Sequence, residues 1–352
     1  MSLNINAVSL FASGGIGETY LEDIGIHTKV ANELIEKRAN FYKYHNPNTK
    51  VIVGDITNNE IKKNIIKNSK KENVELLIAT PPCQGMSNLG KRDYDNDERN
   101  YLIFHVFDII DALDVNYVLI ENVPQFLKMN YPFKGEIKNI VDIFNEKYSD
   151  KYIIDARILD AKYYGVPQRR LRTILRMWKK DKKWDLPNKT KVITLKDAIG
   201  HLPSLESGEK SNIKYHHALK HNERHIEALK HTPTGHSAHE NEIYYPKKIS
   251  GEKCKGYQNT YRRLSWDEVC PTRTMNSGSI SGSNNCHPGR LLENGLYSDA
   301  RTLSLLELII VTSLPENWDL PEDYNETLVR GLIGEGVPPM LMKNALIGIG
   351  GL

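Results

Sequence analysis

Short apolar runs alternate with longer amphipathic stretches over the first half of the chain. Six of these runs have the length and composition of strands: Ala7 to Phe11, Thr28 to Asn32, Val51 to Val53, Glu75 to Ala79, Tyr117 to Ile120 and Ile153 to Leu159. The apolar side chains from Arg99 to Leu113 instead follow helical spacing. Strands that alternate with helices predict an α/β fold with a mostly parallel sheet, whose ligands bind at the carboxyl ends of the strands.

The second half of the chain has a different pattern. Residues 186–294 are polar, rich in Gly, Ser and His, and contain few periodic segments. Helical apolar spacing returns from Ala300 to Leu314 and from Val337 to Ile349. A length of 352 residues is also more than one ordinary core holds. We therefore predict two domains, a larger one of residues 1–185 completed by residues 320–352, and a smaller, loop-rich one of residues 186–319.

The overall composition is that of a soluble globular protein, with 39% hydrophobic and 26% charged residues. No apolar run is long enough to cross a bilayer, and the N-terminus lacks the pattern of a signal peptide, so we expect a cytoplasmic protein without a membrane partner. The cysteines are too few for a disulfide framework, and in a reducing compartment each thiol needs an explanation in packing or chemistry. They are Cys83, Cys254, Cys270 and Cys286.

Positive charge is concentrated in one segment, although the net charge of +3 does not by itself require a nucleic-acid partner. Between Arg169 and Lys191 the chain has ten basic residues against Asp181 and Asp185. Such a run is either a solvated surface or a contact with a polyanion such as the DNA backbone.

A glycine-rich turn, Phe11-Ala-Ser-Gly-Gly-Ile-Gly17, directly follows the first predicted strand. Glycines allow backbone N–H groups to approach a ligand closely, and an aromatic ring at the strand end offers a face to adenine. Glu33 and Asp55 end the second and third strands, where carboxylates can accept from ribose hydroxyls. These features favour a nucleoside-containing cofactor, and the absence of G-x-G-x-x-G spacing disfavours NAD.

The segment Ala79-Thr-Pro-Pro-Cys-Gln-Gly-Met-Ser87 follows the fourth strand. Two prolines fix the backbone before Cys83, and a polar loop follows it, which suits a presented nucleophile better than a core thiol. The next strand ends in Glu121, whose carboxyl group is costly in an apolar strand end unless it is neutral or paired. Farther on, Arg170 and Arg172 are two residues apart in an extended segment and are expected on one face.

These motifs, in this order, resemble the DNA cytosine-5 methyltransferase family over nearly the whole chain. The matching blocks are Pro82-Cys83, Glu121-Asn-Val123, Pro167-Gln-Arg-Arg-Leu-Arg172, Arg263-Leu264 with Pro271-Thr-Arg-Thr274, Arg301-Thr-Leu303 with Glu307, and Gly334-Glu-Gly-Val-Pro338. The resemblance implies a Rossmann-like, S-adenosylmethionine-dependent methyltransferase sheet and a smaller target-recognition domain.

The resemblance also implies roles for individual residues. Cys83 would be the nucleophile, Glu121 would hydrogen-bond cytosine N3, and Arg172 would hold the flipped cytosine. Arg170 and Gln168 would order the catalytic loop and backbone. The implied cofactor contacts are Phe11, Gly14, Gly15, Glu33, Asp55, Ile56, Pro82 and Leu102, and the implied DNA contacts are Ser87, Arg263 and Thr274.

Two positions depart from the family pattern. The glycine turn reads Phe-Ala-Ser-Gly-Gly and is one residue shorter than Phe-x-Gly-x-Gly-Gly. Glu335 stands where the family generally has Asn, at a position where the resemblance implies contacts with the methionine part of the cofactor.

The implied reaction is methylation of carbon 5 of a flipped-out cytosine in a specific duplex DNA sequence, through a covalent Cys83 adduct, with S-adenosylhomocysteine as product. The enzyme would act as a monomer and as the modification partner of a restriction endonuclease. A tRNA cytosine-5 methyltransferase and a catalytically silent DNA-binding relative are the alternatives. We expect no metal, because no C-x2-C pair accompanies the histidines between His201 and His239.

Overall fold

A computed structural model describes residues 3–82 and 98–351. Nine strands form two sheets within these residues: β1 (Ile5–Leu10), β2 (Ile26–Glu33), β3 (Lys50–Val53), β4 (Leu76–Ala79), β5 (Tyr117–Asn122), β6 (Asn130–Phe133), β7 (Glu136–Asn139), β8 (Tyr152–Asp160) and β9 (Leu171–Lys179). The larger sheet has the order β3-β2-β1-β4-β5-β9-β8, and β6 pairs with β7 in a two-stranded sheet. The six predicted strands are all present.

Five neighbouring strands of the larger sheet, β1 to β5, are parallel, while β9 is antiparallel to both β5 and β8. The mostly parallel sheet confirms the predicted fold class. Strand β9 did not appear among the predicted strands, because Arg172 and Arg176 interrupt its apolar pattern. The structure buries Arg176 and pairs its guanidinium with Asp155 on the adjacent strand, so a charged residue occupies a core position.

The helices of the described residues are α1 (Glu36–His45), α2 (Asn59–Lys71), α3 (Leu102–Leu113), α4 (Ile140–Tyr148), α5 (Leu195–Ile199), α6 (Glu223–Lys230), α7 (Leu305–Val311), α8 (Glu326–Glu335) and α9 (Pro339–Leu346). Helix α3 supplies Val106, Phe107 and Ile110 to the main core. Helix α7 is shorter than the predicted segment Ala300 to Leu314. It begins after Ser304, whose side chain and that of Glu307 form a reciprocal capping box.

Two compact units divide the chain, and their boundaries differ from the predicted domain boundaries. The first contains residues 1–160, 171–189 and 341–352, and the second contains residues 161–170 and 190–340. Residues 161–170 and 320–340 therefore belong to the second unit, although the sequence grouped both with the larger domain. The assignment of the first unit to catalysis and of the second to target recognition stays a prediction.

A buried ionic network organises the second unit. The Arg301 guanidinium donates to both carboxylate oxygens of Glu307, at 2.8 and 2.9 Å, and to Oδ1 of Asp299 at 2.9 Å. The imidazole of His287 lies 3.6 Å from Glu307 and 3.7 Å from Asp299. Buried charges stabilise a folded protein only when each one is paired. The charged groups of this cluster are paired with one another, so the cluster fixes the backbone around it.

No helix in the part of the chain that the structure describes is long and apolar enough to span a membrane.

Candidate active site

The carboxyl ends of β1 to β5 share one edge of the sheet in the first unit, because these strands are parallel. The glycine-rich turn leaves β1 there, Glu33 ends β2, and Asp55 follows β3. The segment that leads to Cys83 leaves β4, and Glu121 lies near the end of β5. The predicted site residues from five separate parts of the sequence are thus brought to one edge.

The glycine-rich turn has left-handed backbone at Phe11, Ser13 and Gly15. A Cβ atom added at Gly15 would lie 2.9 Å from Cδ2 of Tyr42, so a side chain there would meet both strain and a steric clash. Gly14 is buried beside it. These features explain the small residues of the turn, whichever glycine of the family pattern each one represents.

Glu18 is a buried carboxyl group behind this turn that the sequence reasoning did not identify. Its oxygens accept hydrogen bonds from the hydroxyls of Ser9 at 2.6 Å, Thr28 at 2.8 Å and Tyr42 at 2.6 Å. Burial raises the pKa of Glu18, while the hydroxyl donors oppose this shift. Because its three partners lie on β1, β2 and α1, Glu18 ties together the elements from which the turn projects.

The acids expected to bind the cofactor differ in exposure. Glu33 is buried, and its carboxylate accepts from the backbone N–H groups of Ser13 at 2.8 Å and Ile35 at 2.9 Å. Asp55 is exposed and accepts from Thr57 N–H at 2.8 Å. Each carboxylate oxygen has two lone pairs, so both groups retain acceptor capacity for hydroxyl or amino hydrogens of a nucleoside.

The hydrophobic cofactor contacts predicted from the resemblance lie close to the same edge. Ile56 is buried in the main core, and Phe11 and Leu102 pack against that core with part of their surface exposed. Pro82 is partly buried.

Two side chains hold the backbone immediately before Cys83. The Thr80 hydroxyl donates to the Phe11 carbonyl at 3.0 Å, and Nδ2 of Asn122 donates to the Pro81 carbonyl at 3.2 Å. The chain thus leaves β4 in a fixed direction between the glycine turn and the end of β5. Cys83 and Ser87 themselves lie outside the described residues, and their roles stay predictions.

Glu121 is paired in the structure. Nε of Arg172 lies 2.9 Å from its Oε1, and both side chains are largely buried. The sequence predicted that the Glu121 carboxyl group is either protonated or paired, because an unpaired buried charge is costly. In the structure Arg172 is its partner. The two residues lie on the adjacent strands β5 and β9, so the sheet itself sets their separation.

Arg170 and Arg172, expected on one face, have different partners. The Arg170 guanidinium is buried and donates to the carbonyls of Arg273 at 2.9 Å, Gly334 at 3.0 Å and Glu335 at 2.9 Å. Arg170 therefore stabilises the backbone of the second unit, including the segment that contains Glu335.

Gln168 also binds backbone in the second unit. Its side chain is buried, accepts from Arg273 N–H at 3.2 Å and donates to the Val311 carbonyl at 3.4 Å. The predicted ordering of backbone by Gln168 fits this geometry, whereas its predicted effect on the catalytic loop involves residues outside those described.

The structure corrects the expectation that Arg263 contacts DNA. Its side chain is fully buried, and its guanidinium donates to the carbonyls of Leu229, His287 and Asp299 at 3.1 to 3.2 Å. Desolvation lowers the pKa of Arg263 to about 10. A guanidinium enclosed in this way presents no donor to a phosphate group. Thr274, the other predicted contact, is partly exposed.

The four lysines at the end of β9 and directly after it lie far from the paired Glu121 and Arg172. Strand β9 is antiparallel to β5, with Thr173 opposite Asn122 and Trp178 opposite Tyr117. Lys179, Lys180, Lys182 and Lys183 therefore lie at the opposite edge of the sheet, with Lys179 roughly 20 Å along β9 from Arg172. The expectation that the basic run contacts the DNA backbone stays a prediction.

The cysteines at 254, 270 and 286 are free, and burial raises the pKa of Cys270 and Cys286. Among residues 3–82 and 98–351 no three His, Cys, Asp or Glu side chains are grouped so as to hold a metal ion.

Comparison with known proteins decides the family. The profile of the C-5 cytosine-specific DNA methylases matches residues 5–349. The chain belongs to this family. A relative from Avibacterium volantium, the type II methyltransferase M1.HgaI, is 48% identical over 348 residues, which cover 98% of each chain. The type II methyltransferase M1.HphI of Haemophilus parahaemolyticus is 26% identical, with 97% of this chain and 85% of the relative covered.

Solved structures share the fold of this cytosine-5 methylase. A prophage-encoded E. coli protein, described as a DNA modification methyltransferase, is 21% identical, covers 97% of both chains and has a TM-score of 0.70. The Entamoeba histolytica methyltransferase EhMeth is 16% identical and has a TM-score of 0.63, with 97% of this chain and 96% of that chain covered. The family match and the relative of 48% identity establish the protein as a DNA cytosine-5 methyltransferase.

Proposed function

We propose that this enzyme is the modification methyltransferase of a type II restriction-modification system, and that it methylates one cytosine within a specific duplex DNA sequence. The observation that carries the chemistry is the Arg172–Glu121 pair, at the sheet edge where the segment leading to Cys83 also emerges. The relatives named above as type II methyltransferases support the biological setting.

The cofactor of this proposal is S-adenosylmethionine, which supplies an electrophilic methyl group when bound. Glu33 and Asp55 suit its ribose hydroxyls and adenine amino group, because both carboxylates lie at strand ends on the same edge and retain acceptor capacity. The small side chains of the glycine turn suit close approach of its backbone N–H groups to the same molecule.

Cys83 is proposed to act as the nucleophile. Carbon 5 of cytosine reacts poorly with a methyl sulfonium, so a thiolate first forms an Sγ–C6 bond and makes the ring enamine-like. Carbon 5 then takes the methyl group and gives its proton to a base such as water, and the electrons of the C5–H bond restore the C5–C6 double bond as the Sγ–C6 bond breaks and Cys83 leaves as thiolate. A free thiol has a pKa of roughly 8.5, so a nearby cation such as Arg172 would favour the thiolate.

Glu121 and Arg172 would act on the cytosine together. When it carries a proton, Glu121 donates a hydrogen bond to N3 and stabilises the negative charge that develops on the ring, and Arg172 holds the ring and the Glu121 carboxyl group in position. The base must leave the stacked duplex before these groups can reach it, which costs a few kcal/mol and is offset by contacts in the pocket.

The partners in this proposal are duplex DNA and, in the same system, a restriction endonuclease, with the enzyme acting as a cytoplasmic monomer. The second unit, residues 161–170 and 190–340, is proposed to recognise the target. Its irregular backbone between α6 and α7 provides loops that suit base recognition.

Covalent trapping tests the nucleophile. Duplex DNA containing 5-fluorocytosine should trap the wild-type enzyme in the presence of S-adenosylmethionine, because fluorine cannot leave as a proton does. Cys83→Ser should abolish trapping, whereas Cys254→Ser should retain it. Trapping by the Cys83→Ser variant would exclude the proposed adduct.

Substrate class is tested separately with methyl transfer from labelled S-adenosylmethionine to duplex DNA and to tRNA. Transfer to DNA alone supports the proposal. Transfer to tRNA alone would favour the RNA alternative, and binding to DNA without transfer would favour a silent relative.

A further inference from the structure

Residues 246–254 form a β-hairpin on the second unit. Lys247 and Lys253 pair in an antiparallel bridge, and the backbone N–H of Lys248 donates to the Glu252 carbonyl at 2.8 Å. Gly251 closes the turn with a left-handed φ of 87°, and its N–H donates to the Lys248 carbonyl at 3.0 Å. The segment is therefore a two-stranded ribbon with a tight tip.

The tip of this hairpin exposes apolar surface. Ile249 is 90% exposed, and Tyr257, three residues beyond the hairpin, is 82% exposed. Exposure to water does not stabilise a β-branched apolar side chain at a turn, and turns are ordinarily enriched in small or polar residues. The exposure of Ile249 is thus more readily explained by a contact made in a complex than by folding.

Positive charge surrounds the apolar tip. The ammonium groups of Lys247 and Lys253 lie 5.1 and 4.8 Å from the centre of the Tyr245 ring, which holds both on the same part of the ribbon. Lys255 adds an exposed cation, while Lys248 is paired with Glu252 at 2.9 Å. Two like charges held near one ring favour a polyanion over a neutral partner.

The base of the hairpin is anchored, although its tip is exposed. Nδ2 of Asn241 donates to the carbonyls of Ala228 at 3.0 Å and Tyr244 at 2.9 Å. The Tyr244 ring stacks on His231, with 3.5 Å between ring centres and 5° between planes. A fixed base allows the tip to be presented to a ligand with little loss of conformational entropy.

We infer that the 246–254 hairpin enters the major groove of DNA, with Ile249 against a base edge and Lys247 and Lys253 against the flanking phosphates. This inference rests on the proposed function and names the residues that select its DNA sequence. The major groove is about 12 Å wide and admits a two-stranded ribbon, and an apolar side chain there distinguishes the thymine methyl group from other base edges. Phosphate contacts position the ribbon without reading sequence.

Salt dependence tests the lysines. Binding of a duplex of arbitrary sequence is measured by fluorescence anisotropy over a range of salt concentrations. The double variant Lys247→Gln, Lys253→Gln should lower the slope of log affinity against log salt by about 1.8, since each phosphate contact contributes about 0.9. The matched control is Lys70→Gln, Lys71→Gln, which removes two exposed charges at the end of α2 and should leave the slope unchanged.

Base selection tests Ile249. Wild-type and Ile249→Ser enzymes methylate a duplex library with randomised sequence, and bisulfite sequencing reads the products. The variant should lose about tenfold discrimination at one or two base pairs near the methylated cytosine. Ile137→Ser on β7, which changes an isoleucine that is 70% exposed in the first unit, should retain the wild-type preference.

The outcomes separate this inference from the proposed function. All substituted side chains are exposed, and thermal unfolding of each variant verifies that it is folded. If the wild-type enzyme methylates DNA but Ile249→Ser keeps the same preference, the base contact is wrong. If the lysine double variant keeps the wild-type salt slope, the phosphate contacts are wrong. If the wild-type enzyme methylates no cytosine in DNA, the proposed function itself fails.

Discussion

Nε of Arg172 on β9 lies 2.9 Å from Oε1 of Glu121 on the adjacent, antiparallel strand β5, near the carboxyl end of β5. The pair is largely buried, so each group depends on the other for compensation of its charge. An incoming cytosine would therefore meet a carboxyl group that is already oriented by a guanidinium.

Arg172→Ala should lower kcat for DNA methylation by about 100-fold or more, because Glu121 loses its orientation and the developing charge loses a donor. Steady-state kinetics with labelled S-adenosylmethionine measures the effect. The control is Arg157→Ala on β8, which breaks an ion pair with Asp155 in which Arg157 is largely exposed. An equal loss of kcat in the two variants would contradict a role for Arg172 at the site.

Asp55→Ala should weaken binding of S-adenosylmethionine by about 1–3 kcal/mol, because a hydrogen bond to the adenosine part is left unmade. Isothermal titration calorimetry without DNA measures this affinity directly. Glu60→Ala removes an exposed carboxylate that pairs with Lys63 at 2.8 Å, and it should leave the affinity unchanged. Wild-type affinity in Asp55→Ala would exclude the contact.

Glu18→Ala should destabilise the protein by at least about 2 kcal/mol, since it leaves buried hydroxyl donors on Ser9, Thr28 and Tyr42 without their acceptor. Urea unfolding measures the change in free energy. The exposed Glu22, paired with His27, provides the control, and Glu22→Ala should cost no more than about 1 kcal/mol. Similar losses in both variants would show that Glu18 does not hold the turn.

The buried network of the second unit predicts a loss of stability in acid. Burial lowers the pKa of His287 from 6.5 to about 3, so the unfolded chain binds a proton between these values that the folded chain excludes. The part of the free energy of unfolding that depends on a neutral His287 is therefore fully present above pH 6.5, and it is lost as the pH falls towards 3. Burial by itself would raise the pKa of Glu307, but the charge of Arg301 holds it well below its usual value, so stability is lost further below about pH 4.

Urea unfolding at pH 7, 6 and 5 tests this dependence. The free energy of unfolding should decrease over this range in the wild-type protein and decrease less in His287→Gln. His201→Gln changes an exposed histidine and should follow the wild-type curve. A His287→Gln variant with the full wild-type pH dependence would assign the effect to other groups.

Local sequence patterns are enough to predict strands β1 to β5 and β8 and the approximate position of the functional edge. Period and composition are local properties, and apolar runs such as Leu76–Ala79 and Tyr117–Asn122 can hardly be anything but buried strands. Parallel strands then require their carboxyl ends to meet, so Glu33, Asp55 and Glu121 had to share an edge.

Which charged residues are available for binding depends on long-range contacts in the folded protein. Arg172, Arg176 and Arg263 look alike in the sequence, but the first pairs with Glu121, the second with Asp155, and the third with buried carbonyls. Their partners are distant in sequence, and the preference of arginine for solvent reverses once several acceptors are fixed around it. The exposure of Ile249 has the same origin, because only the folded second unit determines which apolar side chains lack neighbours.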